Sequence, residues 1–336
     1  MSITIREVAG AAGVSQATAA RALSDYGSVS PAARERVLKA AAELGYEPNR
    51  IAQALRSGAA KVISFVPGNI DVPFFARAAH ILADRLERAG FVLMMASSYE
   101  NLERERSIVE AMRSRMTSGL VIAPTSSQDS VHLVRLHEAG TPVVSIDRSL
   151  ADVGIDSISV DNADLSMQAT QHLISLGHER IAILYDSDDI DSSAQRVAGS
   201  RAALEDATVR GSLLPVRGGM TLESAITAFV SAMQGPDRPT AVLAADSMMT
   251  EAALYGIRAL GLRIPEDISV VGVDDHSLTP LLAPPLTLMS QPVDAISNGA
   301  VDLMLSRLTG SGPISTRHVQ LRATLVVRSS TAAPSL

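Results

Sequence analysis

A small all-α headpiece followed by an α/β domain of two lobes, each a doubly wound parallel sheet, is the fold class predicted by three features of the chain. Residues 1–45 hold three helical patterns, opened by Thr4, Ser15 and Ser30 and two of them followed by glycine. From Lys61 onward short apolar runs alternate with amphipathic helices, as in parallel strands joined by right-handed crossovers. That alternation occurs twice, and 336 residues suffice for two or three domains with a substantial core.

In the headpiece, Thr4 followed three residues later by Glu7 is a capping box, which starts a first helix near Ile5 and carries it to Ala12. Gly13 supplies the turn, where a backbone free of steric penalty is needed. Ser15 caps a second helix on which Gln16, Ala17 and Arg21 share an outward surface while Val14, Ala19 and Leu23 face inward. This is the layout of a helix-turn-helix, whose second helix enters a DNA major groove. Ser30-Pro31 opens a third helix through Glu35, Val37, Leu38 and Leu44 to a stop at Gly45. Asn49 and Gly58 then bracket a segment, 50–56, of about two helical turns. So short a helix is marginal in water unless something docks against the face that Ile51 and Leu55 share.

The first lobe is expected to hold strands at 62–66, 91–96, 120–123 and 142–146. Its helices are one opened by Pro73-Phe74-Phe75 and ended at Gly90, one near 102–112 and one near 131–139. The scheme repeats with strands at 181–185, 213–216, 241–244 and 268–273 and helices from Ala194, Leu222 and Met248. A long helix follows Gln291-Pro292 to 308, and 317–327 closes the domain as one strand. Ligands of such sheets bind beyond the carboxyl ends of the strands. Asp147 ends one strand in VVSIDRS, Asp246 another in VLAADS, and Asp274 with Asp275 a third in ISVVGVDDHS, while Arg196 stands near a helix start in SSAQRVAGS. A lone aspartate after a strand is more often a helix cap or a solvated charge. Charged residues repeated at equivalent places point instead to a site.

The formal charge of −7 argues against a nonspecific nucleic-acid binder. Residues 1–60, however, carry seven basic against five acidic residues, a net of +2 that leaves −9 on the remainder. A basic module on an acidic body can bind phosphates while the body stays off them. Without cysteine there is neither disulfide nor thiolate metal site. No leader-like apolar region opens the chain and no run approaches a membrane span, so cytoplasmic residence and no membrane partner are expected.

The stretches TIREVAGAAGVSQATAARAL and VSPAARERVLKAAAELGYEPNRIAQALRSG resemble the headpiece of the LacI family of transcriptional regulators, and the resemblance continues to the C-terminus. It implies a headpiece over 1–48, a hinge helix and linker over 49–60, and a type I periplasmic-binding-protein-like effector and dimerisation domain over 61–331. The first lobe would take about 61–161 and 291–316, and the second about 162–290 and 317–331. The hinge would pair with that of a dimer mate in the minor groove, with Leu55 wedged between base pairs. DNA contacts fall to Thr4, Arg6, Ser15, Gln16, Ala17, Thr18, Arg21 and Ser28 in the headpiece and to Asn49, Ala52 and Leu55 in the hinge. The effector would be gripped by Arg196 and Asp274, flanked by Phe74 and Phe75, and bounded by Asp147, Met220 and Asp246. Aromatic faces beside carboxylate and guanidinium groups suit a sugar or sugar derivative. The chain departs from the family where Ala245 precedes Asp246 in place of an asparagine, where Met220 stands for an aromatic, and at Ala20 and Ser24 around the second helix. These departures bear on which effector binds.

The implied function is a repressor, working as a homodimer on a pseudo-palindromic double-stranded operator and controlled by a small-molecule effector. No dinucleotide fingerprint, P-loop, nucleophile elbow or zinc-protease motif is present, so neither catalysis, cofactor nor metal is expected. A hydrolase or isomerase reading has no motif behind it. The alternative is a small-molecule-binding protein whose headpiece contacts protein rather than DNA, and salt-dependent duplex binding separates the two.

Overall fold

The computed structural model describes residues 3–23, 29–46, 62–114, 117–207, 211–312 and 315–335. The chain divides into two compact units, Met1–Lys61 and Val62–Leu336. Ser28, Asn49, Ala52, Leu55 and the hinge segment 50–56 lie outside the described residues.

The first unit holds helices α1 (Ile5–Ala12), α2 (Gln16–Ala22) and α3 (Pro31–Leu44). Gly13 and Gly45 take the left-handed conformation that ends α1 and α3. The three helices close over Val8, Ala9, Ala19, Val37 and Ala40, with Val14 and Leu23 half-buried against them. Alanine dominates this core because the helices cross closely, leaving room for little more than a methyl group at each contact.

The second unit builds two six-stranded sheets. The first contains β1 (Val62–Val66), β2 (Val92–Met95), β3 (Gly119–Ile122), β4 (Val143–Ile146), β5 (Asp156–Val160) and β11 (His318–Leu321), in the order β11-β5-β4-β3-β1-β2, all parallel. The second contains β6 (Arg180–Tyr185), β7 (Ser212–Arg217), β8 (Ala241–Ala244), β9 (Ser269–Val273), β10 (Thr287–Ser290) and β12 (Thr324–Val326), in the order β12-β10-β9-β8-β6-β7. Only its edge strand β12 runs antiparallel. Strand order reverses between β1 and β3 in one sheet and between β6 and β8 in the other, and open α/β sheets leave a ligand crevice at such a point. Apolar side chains cover both faces of each sheet, so most central strands are buried at every residue.

Three corrections to the sequence reading follow. Residues 317–327 are two strands in two sheets: β11 pairs with β5 of the first lobe and β12 with β10 of the second, with Arg322 and Ala323 between them. The lobe boundary therefore falls after Leu321, and 317–321 belong to the first lobe rather than the second. The reading also lacked β5, β10 and α7 (Asn162–Ser175). In β5 the buried residues include Asp156, Ser157 and Ser159, whose polarity hides the strand, although Arg307 and the Arg317 N–H satisfy Asp156. The tail beyond Thr331 is likewise part of the fold, since the Ala332 carbonyl accepts from Ser269 and bonds to the His178 ring. The chain passes between lobes three times, after β5, after β10 and after β11, and these passages bring the crevices of the two sheets into one cleft.

Candidate functional site

On α2 of the first unit, Ser15 Oγ accepts from the Thr18 N–H at 3.1 Å and bonds to the Thr18 hydroxyl at 2.9 Å, which fixes the first turn. Gln16, Ala17 and Arg21 are exposed, and Ala19 and Ala22 are buried beneath them. Arg21 Nε donates to the Ala17 carbonyl at 3.2 Å, so the guanidinium runs along the exposed side of the helix. At the start of α1, the Glu7 carboxylate accepts from the Thr4 N–H at 2.6 Å and from its hydroxyl at 2.8 Å. Those two bonds hold the Glu7 carboxyl below its usual range. Thr4 and Arg6 are exposed beside it.

Within the second unit, a cavity of about 270 Å³ opens between the lobes. Phe74, Phe75, Asp147, Arg196, Met220, Asp246 and Asp274 all line it, although they come from six separate stretches of chain. Phe74 and Phe75 open α4 (Pro73–Arg88) and meet edge to face with ring centroids 5.1 Å apart. Met220 is 46% exposed and stands at the rim.

Asp147 follows β4 and Asp274 follows β9, and both take positive φ, 68° and 71°. Tyr99 and Glu100, on the same wall, do so at 53° and 55°. Among the described residues no other non-glycine residue does. Each residue held in this region costs about 1–3 kcal/mol, rather less for aspartate, and such strain gathers at functional sites.

Arg196 lies on α8 (Asp191–Asp206) and is buried. Its Nε donates to Asn162 Oδ1 at 2.8 Å and its Nη1 to the Ala245 carbonyl. Gly199, one turn further, lets α8 approach α7: a Cβ there would lie 2.1 Å from the Ala163 carbonyl oxygen. Asp274 accepts from Ser247 Oγ and, at 2.7 Å, from Gln291 Nε2. Asp246 caps α10 (Ser247–Ala259), accepting from the Met249 N–H at 2.8 Å.

Several wall residues were absent from the sequence reading. Arg148 follows Asp147 and grips Glu100 through Nη1 at 2.7 Å and Nη2 at 3.0 Å, while Gly68 leaves the room that Glu100 occupies. Asp186 ends β6 and accepts from the Ser187 N–H at 2.6 Å and from Ser193 Oγ. The rule that found Asp147, Asp246 and Asp274 at strand ends applies equally to Asp186. Nothing in the sequence marks Glu100, which arrives through a left-handed loop.

Burial pushes the Asp147 carboxyl up, against Arg148 and Arg196, with Asp274 and Asp186 adding to the rise. Burial first and Asp186 second push Asp246 up to about 7, against the Met249 N–H and Arg196. Burial likewise raises Glu100, with Arg148 opposing. Burial works against the charge on Arg148, yet Glu100 and Asp147 outweigh it and raise the guanidinium above its usual value.

Residues 4–49 match the model of bacterial regulatory proteins of the lacI family, and residues 170–331 match that of the periplasmic binding protein-like domain. The HTH-type transcriptional regulator CelR of Thermobifida fusca is 32% identical over 335 residues, 97% of this chain and 98% of the relative. The solved complex of the transcriptional regulator CelR with cellobiose shares 30% identity at a TM-score of 0.71, over 98% of this chain and 99% of that one. The lac repressor dimer bound to operator and the anti-inducer ONPF shares 28% identity at a TM-score of 0.82, over 99% and 100%. Helix-turn-helix, paired sheets and full-length similarity agree, and the chain belongs to the LacI family of DNA-binding transcriptional regulators.

Proposed function

We propose that this regulator represses transcription as a homodimer on a pseudo-palindromic operator, and that a carbohydrate effector in the interlobe cavity sets its affinity for DNA. Gln16, Ala17 and Arg21 read base edges, Ser15 and Thr18 hold phosphates, and Thr4, Arg6 and Ser28 complete the headpiece contacts. Asn49, Ala52 and Leu55 serve the minor groove from the hinge. The headpiece takes 1–48 and the linker 49–60. Effector binding is binding without chemistry.

One observation carries the effector reading. Asp147 and Asp274 end topologically equivalent strands of different lobes, both in left-handed backbone, and face one cavity with Arg196. Carboxylates in such a place accept from vicinal hydroxyls, and the Phe74 and Phe75 rings supply an apolar wall. The dimer reading is supported by apolar residues exposed on the second lobe, Tyr255, Leu278 and Leu281, the last 77% exposed. Covering such side chains in an interface removes apolar surface from water.

Two measurements on the full-length protein test this. Melting in the presence of a sugar panel should rise by the equivalent of about 2.7 kcal/mol at 100 times the dissociation constant. Binding to a duplex carrying the operator should weaken steeply with salt, with a logarithmic slope of roughly −0.9 per phosphate contacted. Duplex binding without salt dependence sinks the DNA-contact assignments, and a panel without any shift sinks the cavity.

A further inference from the structure

The charge balance of the cavity limits what can fill it. Five carboxylates, Glu100, Asp147, Asp186, Asp246 and Asp274, face two guanidinium groups, Arg148 and Arg196. Arg148 is bound to Glu100 through both terminal nitrogens and also donates to the Pro124 carbonyl at 2.7 Å. That pair cancels itself. Arg148 Nε also stands 3.7 Å from Asp147 Oδ2, so Arg196 is left against Asp186, Asp246 and Asp274, and its Nε and Nη1 are already used by Asn162 and the Ala245 carbonyl.

The remaining partners of these aspartates are neutral. Asp186 takes the Ser187 N–H and the Ser193 hydroxyl, Asp246 the Met249 N–H, and Asp274 the Ser247 hydroxyl and Gln291 amide. Neutral donors aim a carboxylate without removing its charge. Gln291 adds a further acceptor, since its Oε1 is buried without a partner among the described residues. Like charges gathered in a cavity of low permittivity repel strongly.

A phosphate or carboxylate ligand would deepen the excess. A neutral sugar would satisfy acceptors and leave the charge. Nor do the acids converge on a bare ion: among the described residues no three acidic or histidine groups come close enough to hold a metal. Protonation of Asp246, pushed up to about 7, relieves part of this excess at neutral pH, and the rest is answered by a positive charge on a larger body that also reaches the phenylalanine wall.

We propose that the effector carries a protonated nitrogen on a hydroxylated body, an amino sugar or iminosugar, with the nitrogen seated between Asp186 and Asp246. This rests on the interlobe cavity being the effector site.

The test uses the full-length protein and sets of ligands matched in skeleton: glucose, glucosamine and glucose 6-phosphate, and the corresponding members of the β-1,4-linked disaccharide series. Calorimetric titration at pH 7 should give the amino member about tenfold or more tighter binding than the neutral one, and none for the phosphate. Asp186→Asn keeps the acceptor for Ser187 and Ser193 and should collapse the amino-to-neutral ratio toward unity. Asp246→Asn, which still caps its helix, gives the same test if the first variant fails to fold. A neutral or phosphorylated member that binds as well as the amino one overturns the inference and leaves the effector site standing. A ratio unchanged in both variants overturns the seat of the nitrogen. If no member of any set binds, the inference falls together with the cavity reading.

Discussion

Arg196→Ala is the perturbation that reaches furthest into this site. Arg196 makes two charge-assisted bonds in a buried place, to Asn162 Oδ1 at 2.8 Å and to the Ala245 carbonyl. A bond to a charged group is worth about 1.5–3 kcal/mol net, and deletion leaves both acceptors dry. Asp147 and Asp246 would also lose a counter-charge. The unliganded effector domain should therefore lose about 3–5 kcal/mol, roughly the worth of two such bonds. Arg196→Lys keeps the charge but cannot make both bonds from one planar group, so it should fall between the alanine variant and wild type. Urea unfolding with and without a saturating ligand separates stability from binding. The alanine variant should lose ligand-linked stabilisation altogether, and it should regain stability on acidification. Without Arg196 the Asp147 and Asp246 carboxyls rise further above their unfolded values, and a raised carboxyl costs stability as pH climbs through its folded pKa. An alanine variant within about 1 kcal/mol of wild type refutes the bridge, since surface substitutions alone change stability that little. Full ligand response in that variant refutes the grip.

Three further outcomes are expected. Asp246→Asn should be more stable than wild type at pH 8, by an amount that shrinks toward pH 5, because the wild-type carboxyl, pushed up to about 7, opposes folding only once it ionises; parallel denaturation curves across that range would contradict the assigned repulsion. Gly199→Ala should destabilise despite the roughly 1 kcal/mol that alanine adds to a helix, because its Cβ meets the Ala163 carbonyl and overpacking costs about 1–3 kcal/mol, and calorimetry should find weaker effector binding too, since Arg196 sits one turn away. Arg21→Ala should cost about 1–3 kcal/mol at the cognate operator and relax selectivity at one base pair; an equal loss on every duplex would move Arg21 to the backbone.

Most of the cavity was legible because the residue types and strand ends that mark it are local features. Asp147, Asp246 and Asp274 follow apolar runs, and Arg196 follows a serine-rich helix start, so four of the wall's charges could be located before any contact was known. What escaped depends on pairing across distance. Strand β5 is buried with an aspartate and two serines in it, and the bonds of Asp156 with Arg307, 151 residues away, and with the Arg317 N–H make the aspartate's burial tolerable. Glu100 reaches the wall through two consecutive left-handed residues opposite Gly68, a geometry without a sequence signature. The division of 317–327 was hidden for a related reason. Its alternating pattern suits an edge strand in either sheet, and the pairing of Asp161 N–H with the Leu321 carbonyl at 2.9 Å marks where the chain leaves one sheet for the other.

Strain and charge in the cavity have a common consequence for control. Four non-glycine residues at positive φ and an excess of aspartates both disfavour the unliganded second unit, and the apolar cores on either side of each sheet hold the arrangement in place. Of these two burdens, only the charge can be changed by a ligand, since φ at Asp147 and Asp274 is set where strands β4 and β9 end. A ligand whose nitrogen sits between Asp186 and Asp246 on one lobe and whose body reaches Asp147 and the phenylalanine wall on the other touches both lobes. Its binding energy therefore depends on the separation of the lobes, which three passages of chain allow to change. The ligand can bias that separation only by the difference in its affinity for the two arrangements, and any resulting effect on operator binding must act equally in reverse. Reducing the charge excess by Asp186→Asn should consequently shrink the coupling between ligand and operator, measured as the ratio of duplex affinities with and without effector, and not merely shift the effector concentration required. A variant that needs more effector yet reaches the wild-type ratio at saturation would show that charge governs affinity alone and that the lobes respond to some other contact.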